Sequence, residues 1–343
     1  MKLHHLSTGA QDARERGLSY GRALGSAIAG SVAAYAEFWN AWGFAPEDVR
    51  RFGGAAGERI AAWAPHTAAE LAAVAEATGV AAEQIYALTA RTELLAHTEA
   101  LASECSTVAV VDARGARSAQ TWDWYPLLSP EAAVLHHPAE TGLPAAPVTV
   151  FTEAGMLAKL GANSAGLGLH FNILSHRLDG AGALTDVGVP VHVVAREILL
   201  RADTVGAARE IAASAELTAS TVLTVSTATE AACLELSPVG VAVVAPEDGF
   251  LWHTNHFRHE DLRPDDTVDP QGTTWARGAF LEAQREALVA CTDAAQLLGR
   301  MCQPPVLVAP DPQLPPYERS ATLLKAGIEY PLLGPPVPSF TAA

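Results

Sequence analysis

The sequence predicts a layered α+β fold, and three observations carry that expectation. Residues 9–100 are Ala-rich, with apolar side chains at helical spacing. At Cys105 the period changes to the short β-branched runs of strands. A helical pair then interrupts the strands near 190–214, and strand patterns resume from 219. Runs of strands that bracket helices suggest sheets covered by helices.

The elements follow in order. Gly17 to Trp42 reads as one long helix with an apolar face. Pro65 precedes a second helix, Thr67 to Thr78. Ala81 to Ala100 reads as a third, with Ile85, Leu88, Leu94 and Leu95 on one side. Strands are expected at 105–112, 117–123, 147–154, 156–161 and 166–173, separated by Gly and Pro. Helices are expected at Pro190–Ala202 and Asp203–Ser214, and strands at 219–226, 231–237, 239–245 and 249–254. Gln271 to Leu298 reads as helical. The tail is Pro-rich at 304–316 and 331–338 and is expected to wrap the surface. No internal repeat is visible.

At 343 residues, with 49 % apolar and 17 % charged side chains, the chain is long and apolar enough to bury a substantial core. A net charge of -16 argues against a nucleic-acid partner, which would need a basic stripe. Cys105, Cys233, Cys291 and Cys302 form no C-x-x-C pair. Reduced thiols and a cytoplasmic location are the simple reading. Ala23 to Ala36 is broken by Gly25, Ser26, Gly30 and Ser31 and is too short to span a bilayer. No signal pattern precedes it, so no membrane segment is expected.

The chemistry is concentrated around Cys105. Glu104-Cys105-Ser106-Thr107 opens an apolar strand, a turn follows at Asp112–Ala116, and Gln120-Thr121-Trp122-Asp123-Trp124 lies on the return. A hairpin there brings Asp123 back beside Cys105. A nucleophile exposed by cleavage at its own position is assembled this way. Its free α-amine, with an unperturbed pKa of about 8, takes the thiol proton at neutral pH. The plain alternative is one buried core thiol among four. Asn255, in Trp252-His253-Thr254-Asn255-His256-Phe257, is a polar amide at a strand end, suited to an oxyanion or to a turn. His253, His256 and His259 stand at i, i+3, i+6, a spacing that leaves a zinc site open. Gly161 to Gly168 reads as a turn between strands and not as a phosphate loop. Asn172 lies on the strand leaving it. Arg91-Thr92-Glu93 reads as a solvated helix face, and Arg319-Ser320 as a surface pair able to bring a positive charge to a site.

Four motifs in this order, Cys105-Ser-Thr, Gln120-x-Trp-Asp-Trp, Gly161-x-Asn-x-x-Gly-Leu-Gly-x-x-x-Asn172 and His253-Thr-Asn-His-Phe, resemble the acyl-coenzyme A:6-aminopenicillanic acid acyltransferase family. These isopenicillin N acyltransferase-like proteins, or C45 peptidases, are N-terminal nucleophile (Ntn) hydrolases, similar at a distance to bile salt hydrolases and penicillin V acylases. The resemblance covers nearly the whole chain. It implies a four-layer αββα sandwich with a helical N-terminal pro-region, residues 1–104. Residues 105–343 would be the catalytic segment, the two forming one compact unit after cleavage between Glu104 and Cys105. It implies Cys105 as nucleophile and Asp123 as the residue that orients the amine or thiol. Asn255 would be an oxyanion donor, Thr107 would shape the cleavage site, and Asn172 and Trp122 would support it. Arg319-Ser320 would be a late polar pair.

Three departures stand out. Bile salt hydrolases have Arg three residues before the catalytic Asp, where this chain has Gln120. Glu104 stands where the fungal acyltransferase has Gly. Thr89 replaces the usual Asn ahead of Arg91-Thr92-Glu93. The activity implied is amide hydrolysis or acyl transfer on a small acyl amide or thioester. No bound cofactor or metal is expected, with a coenzyme A thioester as one co-substrate option. The two segments are expected to stay associated, and a homo-oligomer of that unit is left open. A non-catalytic binding protein and a metal-dependent hydrolase on the three histidines are the alternatives.

Overall fold

The computed structural model describes residues 1–9, 12–98, 105–139, 146–332 and 334–343. Strand β1 (Lys2–Ser7) precedes the helices α1 (Ala13–Ala41), α2 (Pro46–Trp63), α3 (Pro65–Thr78), α4 (Ala82–Thr89) and α5 (Arg91–Leu95). Strands β2 (Ser106–Asp112), β3 (Gly115–Trp124), β4 (Glu131–His137), β5 (Val148–Glu153), β6 (Leu160–Asn163) and β7 (Gly168–Ile173) follow. Helices α6 (Val191–Arg201) and α7 (Val205–Ala213) lead to β8 (Thr221–Ser226), β9 (Ala231–Ser237), β10 (Gly240–Val244) and β11 (Phe250–His253). The chain closes with α8 (Thr273–Ala283), α9 (Arg285–Ala290), α10 (Ala294–Met301), β12 (Ala321–Glu329) and β13 (Val337–Ala342).

The strands form two sheets. One has eight strands in the order β1-β4-β5-β6-β7-β8-β9-β10, and the other five in the order β11-β2-β3-β12-β13. The sheets face each other where β2 meets β7, β8 and β9 and β3 meets β7. Helices α6 and α7 cover the larger sheet, while α8 and α10 cover the smaller. The expected four-layer αββα order is therefore present. A strand buried on both faces explains the apolar run at 108–111 of β2.

Caps in the sequence mark several helix starts. Asp12 accepts the Glu15 N–H at 3.1 Å, Thr204 that of Ala207 at 3.1 Å, and Asp293 that of Gln296 at 2.8 Å. Gly79 ends α3 at φ 70°.

Several expectations are corrected. Helix α2 is absent from the sequence reading because Gly53, Gly54 and Gly57 look like breakers. Two of them are contact points. A Cβ at Gly53 would stand 1.9 Å from the Glu83 carbonyl oxygen, and one at Gly57 2.5 Å from the Tyr86 ring. The third expected helix breaks at Ala90, and the one at 271–298 is three helices. The turn after β5 places Gly155 at φ 101°, so β6 begins at Leu160. Strands β1 and β4 were not expected. The tail does more than wrap the surface: β12 pairs with β3 along its length, from Ala321↔Trp124 to Glu329↔Arg117, and β13 pairs with β12. Arg91-Thr92-Glu93 is fully buried, not solvated.

Candidate active site

The β2–β3 hairpin forms as the sequence suggests. It closes at Asp112↔Gly115, with Gly115 at φ 103°, and runs in register to Ser106↔Thr121. Cys105 and Trp122 are the next residues beyond that pair, and Asp123 follows Trp122. Glu104 lies outside the described residues.

Strand alternation divides these side chains between two faces. Thr107 donates to Asn172 Oδ1 at 2.7 Å, and Gln120 bonds both backbone groups of Phe171, so this face meets β7 of the larger sheet. Cys105 and Trp122 share it, and Trp122 packs edge-on to Phe151 at 5.4 Å. Ser106 takes a bond from Arg277 of α8 at 3.0 Å, so the other face looks to the helices. By the same alternation the buried Asp123 lies on that helix side.

Cys105 is 1 % exposed and its backbone is held at both ends. Its N–H donates to Asn255 Oδ1 at 2.9 Å, and its carbonyl accepts from Arg277 Nη1 at 2.6 Å. Arg277 Nη2 also donates to Asn255 Oδ1 at 2.9 Å. Two donors on one oxygen fix the orientation of the Asn255 amide. Its Nδ2 donates to the Ile173 carbonyl at 2.9 Å, and its backbone N–H to Thr274 Oγ1 at 2.8 Å. It is the carbonyl of Asn255, not its NH2, that meets Cys105. Asn172 Nδ2 stands 3.3 Å from the carbonyls of His253 and Thr254. Through Thr107, Asn172 thus ties β2 to the segment that carries Asn255.

Two site residues escape the sequence reading. Arg277 is buried on the same stripe of α8 as Thr274, Gly278 and Leu281, and an Arg inside an i, i+3, i+4, i+7 apolar pattern is the signal that would have found it. Lys159, in the β5–β6 turn, is also fully buried. Its Nζ lies 4.2 Å from the Trp122 ring centroid and 3.4 Å from Glu153 Oε2. Glu153 also receives Arg91 Nη2 at 2.5 Å, Tyr35 Oη at 2.7 Å and Ser129 Oγ at 2.6 Å. Burial alone would raise the Glu153 carboxyl, but Arg91 and Lys159 outweigh it and hold it at about 2. Burial and then the Arg91 charge push the Lys159 ammonium down to about 7.

The remaining candidates are less central. The Arg319 guanidinium donates to the carbonyls of Leu314 and Pro312, so its charge serves the Pro-rich loop; Ser320 precedes β12. The three histidines diverge. Glu235 accepts from His253 Nε2 at 2.7 Å. His256 stacks on Trp275 at 4.0 Å with Nδ1 against Thr254 and Thr274. The Asp261 N–H approaches His259 Nδ1 at 3.3 Å. Among the described residues no group of three or more His, Cys, Asp or Glu is placed to hold a metal ion. No helix among them is long and apolar enough to cross a membrane. A cleft of about 550 Å³ between α2 and the 181–188 loop is not lined by Cys105, Asp123 or Asn255.

Comparison with known proteins finds sequence matches to a family and to a characterised relative. Residues 113–270 match the family described as acyl-coenzyme A:6-aminopenicillanic acid acyl-transferase. The chain is 29 % identical over 214 residues to the acyl-coenzyme A:6-aminopenicillanic-acid-acyltransferase 40 kDa form of Emericella nidulans. That stretch is 62 % of this chain and spans only 58 % of the relative. These matches bear out the family resemblance. Among solved structures, a Caenorhabditis elegans ortholog of N-acylethanolamine-hydrolyzing acid amidase aligns at TM-score 0.46 and 14 % identity, over 65 % of this chain and 92 % of its own. A mutant of the conjugated bile acid hydrolase from Clostridium perfringens aligns at 0.46 and 12 %, over 65 % and 85 %.

Proposed function

From the premise of a chain whose residues 113–270 match the acyl-coenzyme A:6-aminopenicillanic acid acyl-transferase family, we propose a self-processing cysteine amidohydrolase or acyltransferase. Cleavage between Glu104 and Cys105 divides it into a helical segment, 1–104, and a catalytic segment, 105–343. The single observation that carries this reading is the clamp on Cys105. Its backbone nitrogen donates to Asn255 Oδ1, and its carbonyl accepts from Arg277. After cleavage that same nitrogen is a free α-amine, already held by an acceptor that orients its lone pair.

Turnover then follows from residues at hand. The amine takes the thiol proton, and the thiolate attacks an acyl carbonyl. The tetrahedral oxyanion is met by N–H donors, for which Asn255 has a second Nδ2 hydrogen. The leaving amine takes the proton back from the α-ammonium, and a thioester remains on Cys105. Water resolves it to an acid, or an acceptor amine to a new amide. Arg277 is permanently charged, and its cation beside the Cys105 backbone favours the thiolate. Asp123, on the face away from the thiol, is left the amine to orient, Asn172 and Thr107 brace the strand, and Trp122 floors the thiol's face. The substrate class is a small acyl amide or acyl thioester, coenzyme A thioesters among them.

Intact mass under denaturing conditions tests this. Wild type should yield fragments of roughly 11 and 25 kDa, the 35.8 kDa chain divided at residue 104. Cys105→Ala should stay whole. A wild type that remains whole after long incubation overturns self-processing.

A further inference from the structure

Self-processing poses a problem that the mature mechanism does not. Before cleavage the nitrogen of Cys105 is an amide, and an amide takes no proton from a thiol. Some other group must do so for the first reaction. The face of β2 and β3 that carries Cys105 is closed, and its titratable neighbours can be named. Among the described residues they include Lys159 of the β5–β6 turn, Arg91 of α5, Glu153 of β5, Tyr35 of α1, His192 of α6 and His170 of β7, which bonds Ser118 at 2.9 Å and which burial lowers to about 3. We propose that Lys159 is the proton acceptor that activates Cys105 for cleavage of its own chain, a role the α-amine takes over once it exists. This rests on the function proposed above.

Geometry places Lys159 there. The β2–β3 ladder ends at Ser106↔Thr121, Cys105 and Trp122 are the next residues on either side, and both belong to one buried apolar cluster. The Lys159 amine lies 4.2 Å from the centroid of that same Trp122 ring. It is wholly buried, and the Cys105 charge acts on it directly.

The alternatives are poor bases. Arg91 stays protonated. Glu153, at about 2, is held ionised by Arg91 and Lys159 and binds a proton too weakly. Burial and then the Arg91 and Lys159 charges press His192 well below its ordinary range, and it stacks on Phe171 at 4.7 Å. Burial carries the Tyr35 hydroxyl well up, so it holds its own proton. Arg277 and the Asn255 amide engage the Cys105 backbone, and neither is a base for the thiol. Two cations share the one carboxylate of Glu153, and Arg91 makes the shorter bonds to it. Lys159 is therefore the less compensated of the two. Burial and the Arg91 charge bring it to about 7, where a neutral amine is available at neutral pH.

The step balances. The neutral Lys159 amine takes the Cys105 proton, and the thiolate forms a C–S bond to the Glu104 carbonyl carbon. The C–N bond to Cys105 breaks, and the departing nitrogen takes a proton, which returns Lys159 to its neutral form. Water cleaves the thioester, leaving a Glu104 carboxylate and the free thiol, and the released proton passes to the new α-amine.

The test is the rate of self-cleavage, followed by intact mass on the full chain from pH 5.5 to 9. In wild type the rate constant should rise about tenfold per pH unit and level off near 7, where Lys159 loses its proton. Lys159→Met and Lys159→Arg, each checked for a native melting transition, should cut about 10²–10⁴-fold more slowly and lose the step near 7. Either variant cutting at the wild-type rate with the wild-type profile overturns the proposal. So does a wild-type profile that is flat, or that rises only above about 8.5 with the thiol itself. Burial also lifts Glu93 of α5 to about 7, so Glu93→Gln is run beside the Lys159 variants and should keep the wild-type step, whereas its loss in that variant overturns the assignment to Lys159. Cys105→Ala separates the layers of the argument. If wild type never cuts, or Cys105→Ala does, the proposed function fails and this step with it. If only Cys105→Ala stays whole while the Lys159 variants behave as wild type, the lysine alone is excluded.

Discussion

At the scale of the residue, Asn255 and Arg277 decide where the Cys105 backbone sits. Asn255 joins three elements: the start of β2, the end of β7 and the first turn of α8. Asn255→Ala removes the acceptor for the Cys105 nitrogen and the spare N–H for an oxyanion. It should lower kcat by about 10²–10³ with little change in KM, as read by steady-state kinetics on any amide the enzyme accepts. Arg277 is the stricter case. Arg277→Met leaves the Cys105 carbonyl and the Ser106 hydroxyl without their buried donor. Self-cleavage in intact-mass assays should then slow at least as much as in Asn255→Ala, with Arg277→Lys recovering part of it. Gln120 shows why a single departure from a relative's pattern has structural content. Its amide pairs with both backbone groups of Phe171 and pins β3 to β7, a bridge that an Arg, with donors only, cannot make twice.

At the scale of the element, the helical segment is built on close approach. Gly53 and Gly57 let α2 lie directly on α4, with the Glu83 carbonyl and the Tyr86 ring where side chains would otherwise be. Gly53→Val should therefore lower Tm by several degrees through about 1–3 kcal/mol of overpacking, measured by calorimetry. Gly54, its neighbour in sequence, faces open space and should accept Ala without loss. The inner position of β12, between β3 and β13, is the matching case in the smaller sheet. Its pairing joins residues 321–329 to residues 115–124, and no local pattern announces it.

At the scale of the whole molecule, buried polar contacts join residues 1–98 to the rest. Glu70 of α3 receives Arg16 of α1 at 2.7 Å and Arg196 of α6 at 2.9 Å. Arg91 of α5 pairs with Glu153 of β5, Thr67 donates to Glu197, and Glu93 accepts the Val191 N–H at the start of α6. Charges this deep separate only at high cost, so the two products of cleavage should co-elute in native size exclusion. Glu70→Gln should cost about 3–5 kcal/mol by leaving two guanidiniums with a neutral partner. The carboxyls also set the pH response. Burial would raise Glu70, but Arg196 and Arg16 hold it at about 2, below its ordinary 4.5. Its contribution is present above about pH 4.5 and is lost as pH falls toward 2. Glu93 runs the other way: burial lifts it to about 7. The folded chain keeps that proton, so stability is full below about pH 4.5 and falls by up to about 3 kcal/mol as pH rises through 7. Melting curves of wild type and Glu93→Gln between about pH 4.5 and 8 check this, with the variant expected to lose that slope.

The sequence by itself determined the fold class, the change of period at Cys105, the hairpin that follows it and the order of the four motifs. These depend on short-range periodicity and turn chemistry, which a chain carries along its length. Cys105, Asp123, Asn172 and Asn255 could be singled out as candidates because each sits in a distinctive local motif. Arg277, Lys159 and Glu153 were not, because a buried charge and a surface charge are the same letter until packing decides between them. Helix α2 was hidden because a glycine that admits a neighbour looks like one that breaks a helix. Strand β12 was hidden because strand pairing is satisfied by a partner, not by a neighbour in sequence. Tertiary structure alone decided which face of the hairpin carries the thiol, and it did so by placing the larger sheet on one side and α8 on the other.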